Sequence, residues 1–263
     1  MTSIEPDFRP GDETAPDSSR PPSPQPLQVG PSDRRAKRAI AFVEVVLCSG
    51  FPTQILLTPI LILGGLQPFG ANGQLSLAFV VTLSLVDAAV LIVLILSFLR
   101  IHREGPQDLF LGARPIGHES MVGMFLIPVV ILGVLAAFGF IEQFAPWLRN
   151  VPENPLEAMI QSSGDAWLFA TVSVVASVRE EMQRAFILRR FEQHLGGGVL
   201  GLVVFSLVFG AGHLIQGWDA FVISTLLGAF WGATYLIRRS IIAPVVSHAG
   251  FNIAEIIRYL AYV

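Results

Sequence analysis

The chain has 263 residues, of which 52% are hydrophobic and only 14% charged, with a formal net charge of −3. A soluble domain carries about a quarter charged residues, so the composition argues against an ordinary water-facing surface, and it leaves no basic patch for a nucleic-acid partner. The single cysteine, Cys48, excludes an intramolecular disulfide and a Cys-based zinc site.

Residues 1–33 are rich in Pro, Ser, Asp and Glu and hold eight of the 18 prolines. Such a segment cannot bury enough apolar surface to fold, which predicts a disordered tail. No basic start leads into an apolar stretch, so no cleavable signal peptide is expected and the first span would act as an uncleaved anchor. Residues 34–263 then form a transmembrane helical domain. A first apolar run covers roughly Ala39 to Leu66, with kinks expected at Pro52 and Pro59. A second covers about Leu75 to Leu99, and a polar loop follows over 101–118. A third spans about Met121 to Phe140, before a Pro-containing loop over 141–164. The fourth helix is expected from Asp165 to Arg189 and Arg190, the fifth over Val199 to Ile215, the sixth over Ala220 to Ile237 and the seventh over Ile241 to Val263. Each is about the length that crosses a core of ~30 Å. The predicted fold is therefore an all-α, polytopic transmembrane helix bundle of about seven spans.

Lys and Arg placement sets orientation. With the N-terminus in the cytoplasm, Arg34, Arg35, Lys37, Arg38, Arg100, Arg103, Arg114, Arg189, Arg190, Arg238 and Arg239 all fall inside, and Arg149 falls outside. Gly228 and Gly232 on the sixth helix form a small-xxx-small pair suited to helix packing.

The fourth helix carries Arg179, Glu180, Glu181, Gln183 and Arg184 in mid-span. A charge at the bilayer centre costs roughly 2.5 to 3.5 kcal/mol, so four facing lipid would cost about 10 to 14 kcal/mol. These groups must face protein or a water-filled cavity. Glu180 and Glu181 lie four and three residues before Arg184, so either can pair with it. A self-neutralising ion-pair cluster is the alternative to a functional site. His213 is expected on the fifth helix, four residues after Phe209. His248 and Asn252 share a face of the seventh helix, with Glu255 on the same stripe. Two histidines and a carboxylate suit either a metal such as zinc, through His213 and His248, or metal-free activation of water by general base catalysis. Arg184 or Asn252 can then stabilise an oxyanion. His102, His118 and His194 are read as solvated loop residues. At 1.5 Å per residue, Glu180 and His248 both lie roughly 13 Å from the cytoplasmic boundary and His213 roughly 22 Å.

Three motifs thus occur in order: a Glu-rich helix segment ending in Arg, F-x-x-x-H at Phe209 and His213, and H-x-x-x-N at His248 and Asn252, preceded by Pro244. The stretch from about 164 to 256 resembles the CAAX protease and bacteriocin-processing (CPBP, or Abi) family, which includes the type II CAAX prenyl endopeptidases. The resemblance implies an intramembrane endopeptidase in which a glutamate and histidines activate water, with or without a metal. Its implied substrate is a peptide or membrane protein, prenylated or not, met near the cytoplasmic face of the bilayer. Its implied catalytic residues are Glu180, Glu181, Arg184, His213, His248 and Asn252. The first motif departs from the family's E-E-x-x-x-R: aligned on Arg184, Arg179 stands where the first glutamate is expected, and aligned on Glu180 and Glu181, Arg184 falls one residue early. Arg179 then needs a buried partner, with Asp87 and Glu44 as candidates. A catalytically altered membrane scaffold or immunity-type protein is the second reading, and a proton-coupled transporter a third.

Overall fold

A computed structural model describes residues 31–71 and 73–262. The tail expected over 1–33 lies outside the described residues except for its last three, which open the first helix. All named elements among the described residues are helical: α1 (Pro31–Leu47), α2 (Phe51–Leu63), α3 (Leu77–Ile101), α4 (Pro106–Phe110), α5 (Ile116–Phe144), α6 (Ser163–His194), α7 (Gly198–Ala211), α8 (Trp218–Arg238) and α9 (Ile242–Tyr262). Short 3₁₀ turns lie at Pro146–Leu148 and Leu214–Gln216. The Ser76 hydroxyl caps α3 by accepting from Phe79 N, and Ser162 caps α6 by accepting from Asp165 N. Each hydroxyl satisfies an amide that the first helical turn leaves orphaned.

The first apolar run is two helices, not one kinked helix. The chain breaks at Gly50, which is left-handed at φ 88°, and α1 and α2 meet at a 41° bend. Pro52 sits in the first turn of α2, where no amide donor is needed, and Pro59 lies inside that helix. Three helices, α3, α5 and α8, are long and apolar enough to cross a membrane, or four spans if the bent α1–α2 pair is one. Length and composition alone therefore support fewer spans than the seven expected. The difference lies in α6, α7 and α9. The 32 residues of α6 reach about 48 Å, but its mid-helix charges break the apolar run. The 14 residues of α7 reach only about 21 Å. His248, Asn252, Glu255 and Arg258 make α9 amphipathic.

Helix α6 is the hub, touching α1, α3, α4, α7, α8 and α9. Ala185, Phe186, Ile187 and Leu188 are buried on all sides of it, packed with Ile95 and Leu99 of α3, Phe205 of α7 and Tyr235 of α8. A helix buried all round is the signature of a bundle centre. Gly228 and Gly232 let α8 close on its neighbours. A Cβ at Gly228 would sit 3.1 Å from Phe209 Cδ1 and 3.3 Å from Ser206 Cα of α7, and one at Gly232 would sit 3.3 Å from Arg184 Cδ. By contrast, α2 has no fully buried residue.

Ion pairs gather the helix ends opposite Arg149. Arg238 grips Glu119 of α5 through two hydrogen bonds of 2.7 and 2.8 Å, and Arg239 bonds Glu192 at 2.7 Å. Arg190, expected at the cytoplasmic end of the fourth helix, is 1% exposed. It bonds Glu44 at 2.5 Å and Glu104 at 2.6 Å. His102, exposed as expected, also meets the same Glu44 carboxylate at 2.5 Å. Glu44 is thus committed to Arg190 and His102 and is not the partner of Arg179.

Candidate functional site

The middle of α6 divides its polar residues between two faces. Ser177, Glu181 and Arg184 follow one another at spacings of four and three, which puts them on one stripe. Arg179 and Gln183, four apart, form a second stripe on the far side. Glu180 lies between the two. The stripes meet different helices, and this separation organises the site.

On the first stripe, Arg184 donates to Glu181 Oε1, and both side chains are 1% exposed. The Arg184 guanidinium also lies over the rings of Phe209, Phe205 and Trp231, at 5.0, 5.7 and 5.7 Å. Cation–π attraction strengthens when the cation is desolvated, so these rings partly replace its lost water. His248 of α9 reaches across to the same pair: its Nδ1 is 2.9 Å from Glu181 Oε1. The Trp231 indole stacks flat on the imidazole, with centroids 3.8 Å apart and planes inclined by 16°. Trp231 Nε1 in turn donates to Ser247 Oγ at 3.3 Å. A hydrogen bond on one nitrogen and a stacked ring fix both the tilt and the rotation of His248. Its other nitrogen, Nε2, faces Glu180 Oε2 at 3.7 Å. One turn further along α9, Asn252 Nδ2 donates to Ser177 Oγ at 3.1 Å.

The two glutamates differ in access. The Glu181 side chain is 1% exposed and that of Glu180 is 18%. Glu180 is therefore the more accessible carboxylate, and Glu181 is the one enclosed by protein. A water within hydrogen-bond reach, about 2.6 to 3.2 Å, of both Glu180 Oε2 and His248 Nε2 closes a triangle on their 3.7 Å separation. The Glu181 Oε2, Arg184 Nε and Arg184 Nη2 atoms are buried with no hydrogen-bond partner among the described residues.

The second stripe supplies Arg179 with its partners. Asp87 of α3, 0% exposed, lies 3.3 Å from Arg179 Nη2. Arg179 Nη1 donates to Gln183 Oε1 at 3.0 Å, and Gln183 Nε2 donates to the Cys48 carbonyl at 2.6 Å. Asp87 also accepts from the Thr53 hydroxyl at 2.5 Å and from Gln54 Nε2 at 3.5 Å. Of the two candidate partners for Arg179, the structure provides Asp87. Arg179 Nη2 is also 3.8 Å from Glu180 Oε1, so Glu180 stands between an arginine and an imidazole.

His213 is not where the sequence put it. Helix α7 ends at Ala211 with Gly212 as its cap, and His213 opens the following 3₁₀ turn. Its Nδ1 bonds the Phe209 carbonyl at 3.0 Å. The Phe209 ring lies 4.9 Å from the His213 ring and 6.2 Å from that of His248, so it packs against both histidines. Glu255 does not join the cluster. It pairs with Arg258 at 3.0 Å. Trp231 and Ser177 do not stand out in the sequence. The stripe of Ser177, Glu181 and Arg184 was readable from spacing, whereas nothing in a single sequence marks Trp231 as the lid of His248. Among the described residues, no group of three or more His, Cys, Asp or Glu side chains could hold a metal ion. Glu180 and His248 offer two facing donors, one fewer than the three protein ligands of a catalytic zinc site. The residues present therefore do not fit a resident metal held by His213 and His248.

Residues 162–254 match the family model described as Rce1-like, type II CAAX prenyl endopeptidase Rce1-like. The match covers α6 to most of α9 and contains every residue of the cluster except those on α1, α2 and α3. It agrees with the resemblance carried by the three motifs. No curated protein and no solved structure matches the chain.

Proposed function

We propose that this chain, Rce1-like over residues 162–254, is an integral membrane endopeptidase that hydrolyses peptide bonds with a glutamate-activated water. The observation that carries the reading is the row Glu181–His248–Glu180. A buried carboxylate orients an imidazole, and that imidazole faces a second, more accessible carboxylate at 3.7 Å. Glu180 is the general base. It takes a proton from water as the water oxygen attacks the scissile carbonyl carbon, then returns that proton to the departing amide nitrogen as the C–N bond breaks. Glu181 and Arg184 are too deeply buried to touch substrate. They act through His248, whose tautomer and orientation they hold. With Nδ1–H given to Glu181, His248 Nε2 is an acceptor that helps to hold the attacking water, and the half-buried Asn252 amide is the donor available to the developing oxyanion, where a donor contributes about 2.7 to 4 kcal/mol. His213, beyond Phe209, borders the site on the α7 side. The proposed substrate is a peptide or membrane-protein segment, prenylated or not, presented from the bilayer near the cytoplasmic face of a multi-pass bundle.

The test uses purified full-length protein in vesicles with a prenylated peptide and a membrane-embedded peptide as substrates. Wild type is expected to cleave at least one of them, and Glu180→Gln and His248→Ala to fall to background. Equal background cleavage by all three proteins would sink the proposal.

A second reading has its own observation. Arg179 lies 3.8 Å from Glu180, and in the alignment on Arg184 it fills the position expected for the first glutamate. If that contact occupies the base permanently, the fold serves as a non-catalytic scaffold or immunity-type protein. Cleavage that survives in the wild type but is lost in Glu180→Gln decides against it.

A further inference from the structure

A groove of about 540 Å³ runs along the outer face of α3 near its C-terminal end, away from the Glu180–His248 site. Its upper wall is apolar: Val93 is 63% exposed and Leu96 39%. Its lower wall holds Arg100, Arg103 and Glu104. Leu96 and Arg100 are one helical turn apart, and Val93 and Arg100 two turns, so the groove passes from hydrocarbon-facing to charged over about 10 Å.

The charges in it are unbalanced. Glu104 is committed to Arg190, at 2.6 Å. Neither Arg100 nor Arg103 has an ion pair or a side-chain hydrogen bond among the described residues. Arg103 projects from a left-handed turn at φ 57° directly after a helix that is long and apolar enough to cross a membrane. Two free guanidiniums at the end of such a helix lie at the level of lipid phosphates. A guanidinium binds phosphate through a planar fork of donors. The neighbouring apolar wall, one to two turns deeper, is where an acyl chain attached to that phosphate would lie.

We infer that this groove is a binding site for an anionic phospholipid, its phosphate held by Arg100 and Arg103 and an acyl chain laid against Leu96 and Val93. The bound headgroup would sit beside Glu104 and therefore next to the Arg190–Glu44–His102 network that ties α1 and α3 to α6. The site is independent of peptide cleavage, and it would exist in an inactive scaffold as well.

Native mass spectrometry of the full-length protein, released from detergent with added phosphatidylglycerol or phosphatidylcholine, tests the inference. Phosphatidylglycerol is expected to be retained in preference to phosphatidylcholine. The double variant Arg100→Gln/Arg103→Gln should lose roughly ten- to thirtyfold in its affinity for phosphatidylglycerol. Leu96→Trp keeps both arginines and fills the apolar wall, and it too should weaken retention. Glycerol phosphate, which has the headgroup chemistry without chains, should not compete at equal concentration. Arg34→Gln/Arg35→Gln removes two charges expected on the same side of the membrane, and it serves as the control that should bind like wild type. Equal retention of both lipids by wild type would overturn the inference. So would equal loss in the control and the Arg100/Arg103 variant, or unchanged binding by Leu96→Trp.

Discussion

Glu180 and Glu181 are chain neighbours with opposite surroundings, and the difference predicts opposite mutant behaviour. Glu180 is partly exposed, and its charged neighbours Arg179 and His248 both keep other partners. Glu180→Gln should leave the thermal unfolding temperature nearly unchanged while lowering cleavage by about 10² to 10⁴-fold, the usual worth of a positioned general base. Glu181 is enclosed and neutralises Arg184. Glu181→Gln leaves a buried arginine without its carboxylate, an exposure worth about 3 to 5 kcal/mol, so it should lower the unfolding temperature as well as activity. Equal stability of the two variants would show that the division of labour is wrong. Asp87 obeys the same logic on the other face of α6. Asp87→Asn leaves Arg179 without its buried carboxylate and should destabilise by about 3 to 5 kcal/mol. Adding Arg179→Met removes the stranded charge and should recover much of that loss in a double-mutant cycle. Mid-membrane charges made the need for such partners legible in the sequence, and Asp87 was visible as a buried acid on another apolar run. The burial of Arg190 was not legible. Its place after a long helix looks like a cytoplasmic flank, and its partner Glu44 lies 146 residues away, with no local pattern linking them.

At the scale of elements, the breaks matter more than the helices. In the run from Ala39 to Leu66 the prolines are the visible disruptors and predict kinks, yet both prolines are accommodated in α2. The break is made by Gly50, whose left-handed backbone an L-residue adopts only at a cost of about 1 to 2 kcal/mol. The same turn presents the Cys48 carbonyl to Gln183 and sets Thr53 and Gln54 against Asp87, so the bend connects the α1–α2 pair to the far stripe of α6. Gly50→Ala should therefore destabilise by about 1 to 2 kcal/mol, read as a fall in unfolding temperature. Its Cβ would approach Gln183 Nε2 no closer than 3.4 Å, so the cost comes from the backbone rather than from a clash. No change in that temperature would mean that the turn relaxes to another conformation. The end of α7 is the second break that sequence reading missed. The apolar run to Ile215 continues past Gly212, but the α-helix stops at Ala211 and a 3₁₀ turn follows, which moves His213 off the helix. Hydrophobicity reports burial in lipid or protein and is blind to where a backbone stops being helical.

At the scale of the whole molecule, the ion pairs make an argument about sidedness that the positive-inside rule began. Glu119 opens α5, Arg238 closes α8, Glu192 lies near the end of α6, and Glu104 follows α3. Arg238–Glu119, Arg239–Glu192 and Arg190–Glu104 bring these four ends together on one side of the bundle. Arg149 pairs with Glu142 at the opposite end of α5, where Trp147 and Trp167 are 72% and 74% exposed. Exposed tryptophan suits a membrane–water interface, so the two ends of the bundle differ in kind: one is dense with arginine and the other bears aromatic residues. If the arginine-rich end is cytoplasmic, as loop charge dictates, then sites at the two ends must label from opposite sides of a sealed membrane. Gln107, exposed on α4, and Glu153, exposed in the loop after α5, carry no role in either proposed site and can each be changed to cysteine. The native Cys48 is fully buried, which keeps the background low. In intact cells, a membrane-impermeant maleimide should label Glu153→Cys and spare Gln107→Cys until the membrane is opened. The reverse pattern would invert the orientation. It would also move the entrance to Glu180 and His248 to the other face, because both residues keep their distance from the arginine-rich end whichever compartment that end meets.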